Sequence, residues 1–165
     1  MTNGTQERNP TTVSTPSDTE IRIERVFDAS RELVWEAYTD PEMVADWLGP
    51  RSREKPAITM DVRPGGSYRW DFGEFVFFGE FREVVPQERL VTTFDWETSE
   101  REPSVDHAEF ETLDDGRTRI VIMSTFASKE DRDAMIRDGM ERGVRDGYAK
   151  LDELLERLQA DRTGN

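Results

Sequence analysis

Few side chains in this sequence are suited to covalent or metal chemistry. There is one histidine, His107, and no cysteine, so multi-histidine and thiolate metal sites are excluded and no disulfide can form. Ala108 and Phe110 are the more apolar pair of the strand around His107, and alternation therefore predicts that His107 faces the opposite side of the sheet. Acidic pairs such as Asp114-Asp115 fall in turns, where solvated charge is the simpler interpretation.

Motifs typical of nucleophilic or phosphate chemistry are missing from the chain. It contains no GxSxG elbow and no Walker-type loop. Gly65-Gly66 precedes an alternating strand pattern rather than a helix, which indicates a turn and not a phosphate cradle. We therefore predict no catalytic residue, no metal and no cofactor.

Aromatic side chains are the most distinctive feature of this sequence. A curved sheet lined with large rings would suit a mostly apolar pocket that contains a few polar groups, for which Thr92, Ser124 and Tyr148 are candidates. The predicted cavity residues are Trp47, Trp70, Phe72, Phe77, Thr92, Phe94, Trp96, Phe110, Ile122, Ser124, Phe126, Met135, Met140, Gly143 and Tyr148. Trp47 is expected to close the mouth of the cavity, and the two methionines are expected to adapt to variable ligands.

The C-terminal stretch from Ser128 to Gln159 should position these rings. Its apolar residues recur at steps of three and four, which predicts an amphipathic helical region that begins at Ser128 and is broken or bent near Gly139. Gly139, Gly143 and Gly147 lie four apart within it, and each glycine in a helix costs roughly 1 kcal/mol relative to alanine. The track that they form predicts either close packing alone or one wall of an internal cavity.

The remaining elements predict an α+β fold. A strand is followed by two short helices, about six closely spaced strands and the long helical region, so the strands should pair antiparallel in one curved sheet. The predicted strands span residues 20–27, 57–62, 67–72, 75–85, 88–96, 105–113 and 117–126, and the two short helices begin at residues 31 and 41. We expect a disordered tail over residues 1–19 and a single domain over residues 20–160.

The net charge of the chain limits the classes of partner that it is expected to bind. The net charge of −14, from 36 acidic and 22 basic residues, argues against nucleic acid and against anionic membrane surfaces. No apolar run is long enough to cross a membrane, and residues 1–19 do not form a signal peptide. We expect a cytoplasmic protein without membrane insertion.

Four stretches together carry a family resemblance: residues 27–50, 61–70, 79–96 and 126–155. Their order and spacing resemble the START-like, helix-grip (SRPBCC) proteins, and more closely the bacterial homologues of the activator of the heat-shock protein 90 ATPase. The resemblance implies a seven-stranded antiparallel sheet that wraps a long C-terminal helix, with two short helices at one end. It also implies an apolar cavity, which relatives use for lipids, sterols, polyketides or other hydrophobic molecules.

Three functions are compatible with these patterns. The first is the binding of a small hydrophobic molecule for sensing, storage or transport. The second is a cyclase-, aromatase- or hydrolase-like enzyme acting in the cavity, and the third is a stress-response or chaperone-type protein that binds a protein partner. The sequence leaves homodimer formation open.

Overall fold

The computed structural model describes residues 9–51 and 54–163, which form an α+β fold with one antiparallel sheet and four helices. The strands are β1 Thr12–Ser14, β2 Glu20–Phe27, β3 Ala57–Met60, β4 Ser67–Asp71, β5 Val76–Val85, β6 Arg89–Trp96, β7 Ser104–Thr112 and β8 Thr118–Thr125. The helices are α1 Arg31–Thr39, α2 Pro41–Trp47, α3 Lys129–Arg137 and α4 Met140–Thr163. The eight strands lie in the order β1-β2-β8-β7-β6-β5-β4-β3. This architecture confirms the predicted helix-grip fold.

The sheet has eight strands rather than the expected seven, because β1 forms within the stretch predicted as a disordered tail. Val13 pairs with Ile23 of β2 and packs against the core, and Thr11 is buried. Arg145 of α4 donates a hydrogen bond of 2.8 Å to the Thr11 carbonyl. Val13 is a single apolar side chain among polar residues, so no alternation marked this strand. Residues 1–8 of the predicted tail lie outside the described residues.

The two short helices begin where the sequence placed their caps. The Ser30 hydroxyl accepts a hydrogen bond from the Leu33 amide at 3.2 Å, and the Asp40 carboxylate accepts one from the Glu42 amide at 2.9 Å. Pro41 occupies the first turn of α2, where it has no helical N–H to lose. Each cap satisfies amides that would otherwise lack a partner at the start of a helix.

The C-terminal helical region is divided at Gly139, as predicted. Ser128 caps α3, and its hydroxyl accepts a hydrogen bond from the Asp131 amide at 3.1 Å. Gly139 has φ +90°, a left-handed conformation that glycine adopts readily at the end of a helix. The expectation of three glycines within one helix is therefore wrong, since only Gly143 and Gly147 lie inside α4.

The core lies between the helices and the concave face of the sheet, and it includes buried side chains from β2 and from β4 to β8. Its largest side chains without exposed surface include Phe27, Ile21, Ile120 and Leu151. Burial of each large aliphatic or aromatic side chain stabilises a fold by about 1.5–3 kcal/mol. Within residues 9–51 and 54–163, no helix combines the length and apolarity that a membrane crossing requires.

Candidate functional site

The strands β4, β5 and β6 place six aromatic side chains on the concave face of the sheet, of which Tyr68 and Phe81 are buried. Trp70 pairs with Phe77, and Phe77 pairs with Trp96, so the three side chains share one face. Phe94 lies two residues from Trp96 on the same face, and the Phe77 and Phe94 rings stack with centroids 5.3 Å apart. We call the partly exposed rings, together with Phe72 directly after β4, the aromatic bowl; its members are Trp70, Phe72, Phe77, Phe94 and Trp96.

The rings of the aromatic bowl contact one another and are nevertheless partly exposed. Ring centroids lie 5.9 Å apart for Trp70 and Phe94, and 5.8 Å apart for Phe72 and Phe77. All five side chains keep intermediate exposure although they face inward. The structure therefore places a partly open apolar surface here, and not a closed core.

The two glycines of α4 differ in their surroundings. A Cβ atom built on Gly143 would find no heavy atom within 4 Å, whereas one on Gly147 would lie 3.2 Å from the Trp47 carbonyl oxygen. Gly147 therefore serves close packing of α2 on α4, and Gly143 borders open space. Met135 and Met140, predicted to line the helix side, are partly buried against the core.

Trp47 belongs to the core and does not sit at an open mouth as expected. It is 6% exposed, and its indole Nε1 donates a hydrogen bond of 2.9 Å to the Ala37 carbonyl. This hydrogen bond and the contact with Gly147 hold Trp47 beneath α4. Its ring lies 6.0 Å from that of Tyr148.

Tyr148 and Phe110, also predicted for the cavity, lie at the closed end of the interior. The Tyr148 hydroxyl shares a hydrogen bond of 2.6 Å with the Tyr38 hydroxyl, and the Tyr38 ring meets Phe110 edge-on at 5.4 Å. Burial raises the pKa of Tyr148 to about 12, and burial together with the neighbouring Tyr148 raises the pKa of Tyr38 well above its usual value. Both phenols are therefore neutral hydrogen-bonding groups at physiological pH.

A row of polar side chains crosses the concave face beside the aromatic bowl. Asp106 of β7 pairs with Thr92 of β6 on one side and with Ser124 of β8 on the other. Thr92 and Ser124 were predicted to face inward, and the register places both there. Ile122 and Phe126 share this face of the last strand, where Ile122 is partly exposed and Phe126 is buried. We call Thr92, Asp106 and Ser124 the polar row.

Asp106 is the member of this row that the sequence reasoning missed. Phe110 and Ala108 were assigned inward, and the same alternation assigns Asp106 inward, so the signal was present in the sequence. Its side chain is partly exposed. Burial raises the pKa of Asp106, and the neighbouring Ser124 hydroxyl and His107 oppose that rise.

Arg25 is a second inward charge that went unpredicted, although it alternates with Ile23 and Phe27. It is 3% exposed, and its two Nη atoms donate hydrogen bonds of 2.9 Å and 2.5 Å to the Asp152 carboxylate of α4. Its guanidinium lies 4.8 Å from the centre of the Phe27 ring. This ion pair ties α4 to β2 and leaves the Arg25 charge neutralised.

A family model described as Activator of Hsp90 ATPase homolog 1-like protein matches residues 28–156. The chain belongs to this family. The match covers α1 through most of α4 and confirms the resemblance drawn from the sequence. A comparison with curated proteins found no match.

Solved structures with the fold of this Hsp90-activator homologue come from several bacteria. A Rhodobacter sphaeroides protein is 23% identical with a TM-score of 0.77, and the alignment covers 90% of this chain and 99% of that chain. Ms6760 of Mycobacterium smegmatis is 24% identical with a TM-score of 0.75, over 90% and 99% of the two chains. DynU16, a protein in the dynemicin biosynthetic locus, is 24% identical with a TM-score of 0.67, over 86% of this chain and 48% of that chain. These similarities show the fold.

Other features of this Activator of Hsp90 ATPase homolog 1-like chain lie away from the bowl. His107 is exposed on the outer face of the sheet, as alternation predicted. A surface depression of about 480 Å³ lies near Arg31 and Glu109, and one of about 430 Å³ lies on the outer face near Phe78. Within the described ranges, no group of three His, Asp or Glu side chains is placed to hold a metal ion.

Proposed function

We propose that the aromatic bowl binds a small, mostly apolar molecule. One observation carries this proposal. Trp70, Phe77 and Phe94 point to the concave side of the sheet, yet their side chains remain partly exposed. On α4, a Cβ atom built on Gly143 would meet no heavy atom within 4 Å, and we take this space as the helical border of the bowl. When an apolar ligand replaces water against exposed rings, the complex is stabilised by about 25 cal/mol for each Å² of apolar surface covered.

The bowl also offers a hydrogen bond to such a ligand. The indole Nε1 of Trp70 is buried and has no partner in the part of the chain that the structure describes. A buried donor left without an acceptor costs about 1–3 kcal/mol. A ligand that places one acceptor atom against this nitrogen would recover that cost, so the proposed ligand carries at least one oxygen or other acceptor.

The family supports this proposal by analogy. Helix-grip relatives use the space between sheet and helix for hydrophobic molecules, and this chain keeps its exposed rings in that region. DynU16 belongs to a biosynthetic locus, and a small-molecule context is in keeping with the proposed role. Sensing, storage and transport are all functions that such binding would serve.

Gly143→Phe tests the proposal directly. A phenyl group at this position would occupy the space that no heavy atom fills, while the helix keeps a residue that it tolerates. Native mass spectrometry of freshly purified wild-type protein should show a retained small molecule, and calorimetric titration with naphthylmethanol, a neutral apolar probe, should show binding. We expect the variant to lose both signals and to keep its thermal unfolding transition.

Arg142→Phe is the matched control, because it adds the same ring at the exposed neighbouring position of α4. This control should bind the probe as the wild type does. Unchanged probe binding by a folded Gly143→Phe variant would contradict the proposed site. Absence of binding by the wild-type protein itself would contradict the function.

A further inference from the structure

We propose that the polar row holds the cationic head of an apolar amine, so that the ligand class of the bowl is an ammonium-bearing hydrophobic molecule. This inference rests on the proposed function and names its ligand more closely. Thr92, Asp106 and Ser124 lie side by side on three neighbouring strands, and all three point to the concave side. One carboxylate between two hydroxyls supplies acceptors from three directions, which suits the three N–H donors of a primary ammonium group.

The Asp106 carboxylate lacks a cation of its own. Within residues 9–51 and 54–163, no lysine or arginine forms an ion pair with it, and the inward Arg25 is already taken by Asp152. The basic group nearest in sequence, His107, faces the outer side of the sheet. Burial of a carboxylate without a positive partner is costly, and proteins ordinarily pair such a group.

The helices above the polar row do not supply that partner. The face of the C-terminal helices that packs on the core presents Met135, Met140, Val144 and Tyr148, none of which carries a positive charge. The space beside Gly143 is open. A cation arriving with the ligand would therefore meet the carboxylate without displacing an existing ion pair.

The surroundings favour an organic cation over other ligands. Phe94 lies two residues from Thr92 on the same face, and aromatic faces attract ammonium groups. A bare metal ion would find a single carboxylate there, and an anionic ligand would be repelled by it. The net charge of −14 adds a general attraction for cations.

A pair of probes of nearly equal shape tests the inference: naphthylmethylamine and naphthylmethanol, each titrated calorimetrically into the full-length protein at neutral pH. A hydrogen bond to an ionised group is roughly twice as strong as one between neutral groups, so the amine should bind about tenfold or more tightly than the alcohol. Asp106→Asn should reduce amine affinity by about tenfold, so that the amine binds the variant no more tightly than the alcohol does.

Glu109→Gln is the matched control, because it removes one negative charge from the exposed face of the same strand. It should leave the affinity for both probes as in the wild type. Equal affinities of the wild-type protein for amine and alcohol would overturn the inference and leave the apolar site intact. Equal losses of amine affinity in the Asp106 and Glu109 variants would also overturn it, since the effect would then be general charge. Binding of neither probe would instead contradict the proposed function itself.

Discussion

The two halves of the concave face are built from similar side chains and are closed to different degrees. In the half formed by β2 and β8, Ile21, Phe27 and Ile120 have almost no exposed surface. On β4–β6, the inward side chains of Tyr68, Phe81 and Leu90 are also buried. Trp70 and Phe94 of the aromatic bowl are equally apolar and remain partly exposed, and we call this region the open half. Strand sequence alone does not account for this difference, because both halves alternate apolar residues inward.

The helix above the sheet accounts for the difference in exposure between the two halves. The C-terminal part of α4 carries Leu151, Leu154 and Leu155, each almost completely buried. The N-terminal part carries Gly143 instead, and the helical path is interrupted at Gly139, where φ is +90°. The helix thus packs leucines on the first half, whereas at Gly143 it contributes no side chain.

The largest expected effect compares a leucine of the closed half with a ring of the open half. Leu151→Ala should lower the free energy of unfolding by about 2–5 kcal/mol, because a side chain with no exposed surface leaves a cavity. Phe94→Ala should cost much less stability and should abolish binding of naphthylmethanol. Urea denaturation and calorimetry measure the two quantities. Equal destabilisation by both substitutions would mean that the bowl is ordinary core.

A smaller effect compares the glycines themselves. Gly143→Ala should stabilise the protein by about 1 kcal/mol, since alanine favours the helix and the added methyl meets no atom. Gly139→Ala should destabilise it by about 1 kcal/mol, because an L residue is strained at φ +90°. Thermal or urea unfolding of the two variants measures the sign of each change in the free energy of unfolding. Two changes of the same sign would show that the glycines do not have separate roles.

Much of this fold follows from the sequence, because its signals are local. Strand alternation, the caps Ser30, Asp40 and Ser128, and the break at Gly139 each act within a few residues of chain. The strand β1 escaped prediction, because Val13 alone gives no periodicity and pairing with β2 is what orders it.

The site was less predictable, for a different reason. Alternation assigned Thr92, Phe94 and Ser124 to the correct face, but inward direction does not reveal how much a distant helix covers. Charged residues are not expected to face a protein core, so Asp106 and Arg25 were not assigned inward, although the same alternation places them there. Whether an inward charge has a partner, as Arg25 has in Asp152, is decided by residues more than a hundred positions away.

The smallest expected effect is a change in the slope of stability against pH, which reports how far the open half is shielded from water. Burial holds the pKa of Asp106 in the folded protein above its ordinary value, so between the two values the folded state binds more protons than the unfolded state. The contribution of Asp106 to stability is therefore full below the ordinary pKa of about 3.9 and is lost as pH rises through the folded-state pKa.

Asp106→Asn removes this proton linkage. The free energy of unfolding of the variant minus that of the wild type should rise with pH across that window and become level above it. Urea denaturation at a series of pH values measures the difference. Glu109→Gln on the exposed face of β7 serves as the control. A level difference for Asp106→Asn would place its carboxyl group in water, and the open half would then be surface rather than a recess that can hold a ligand.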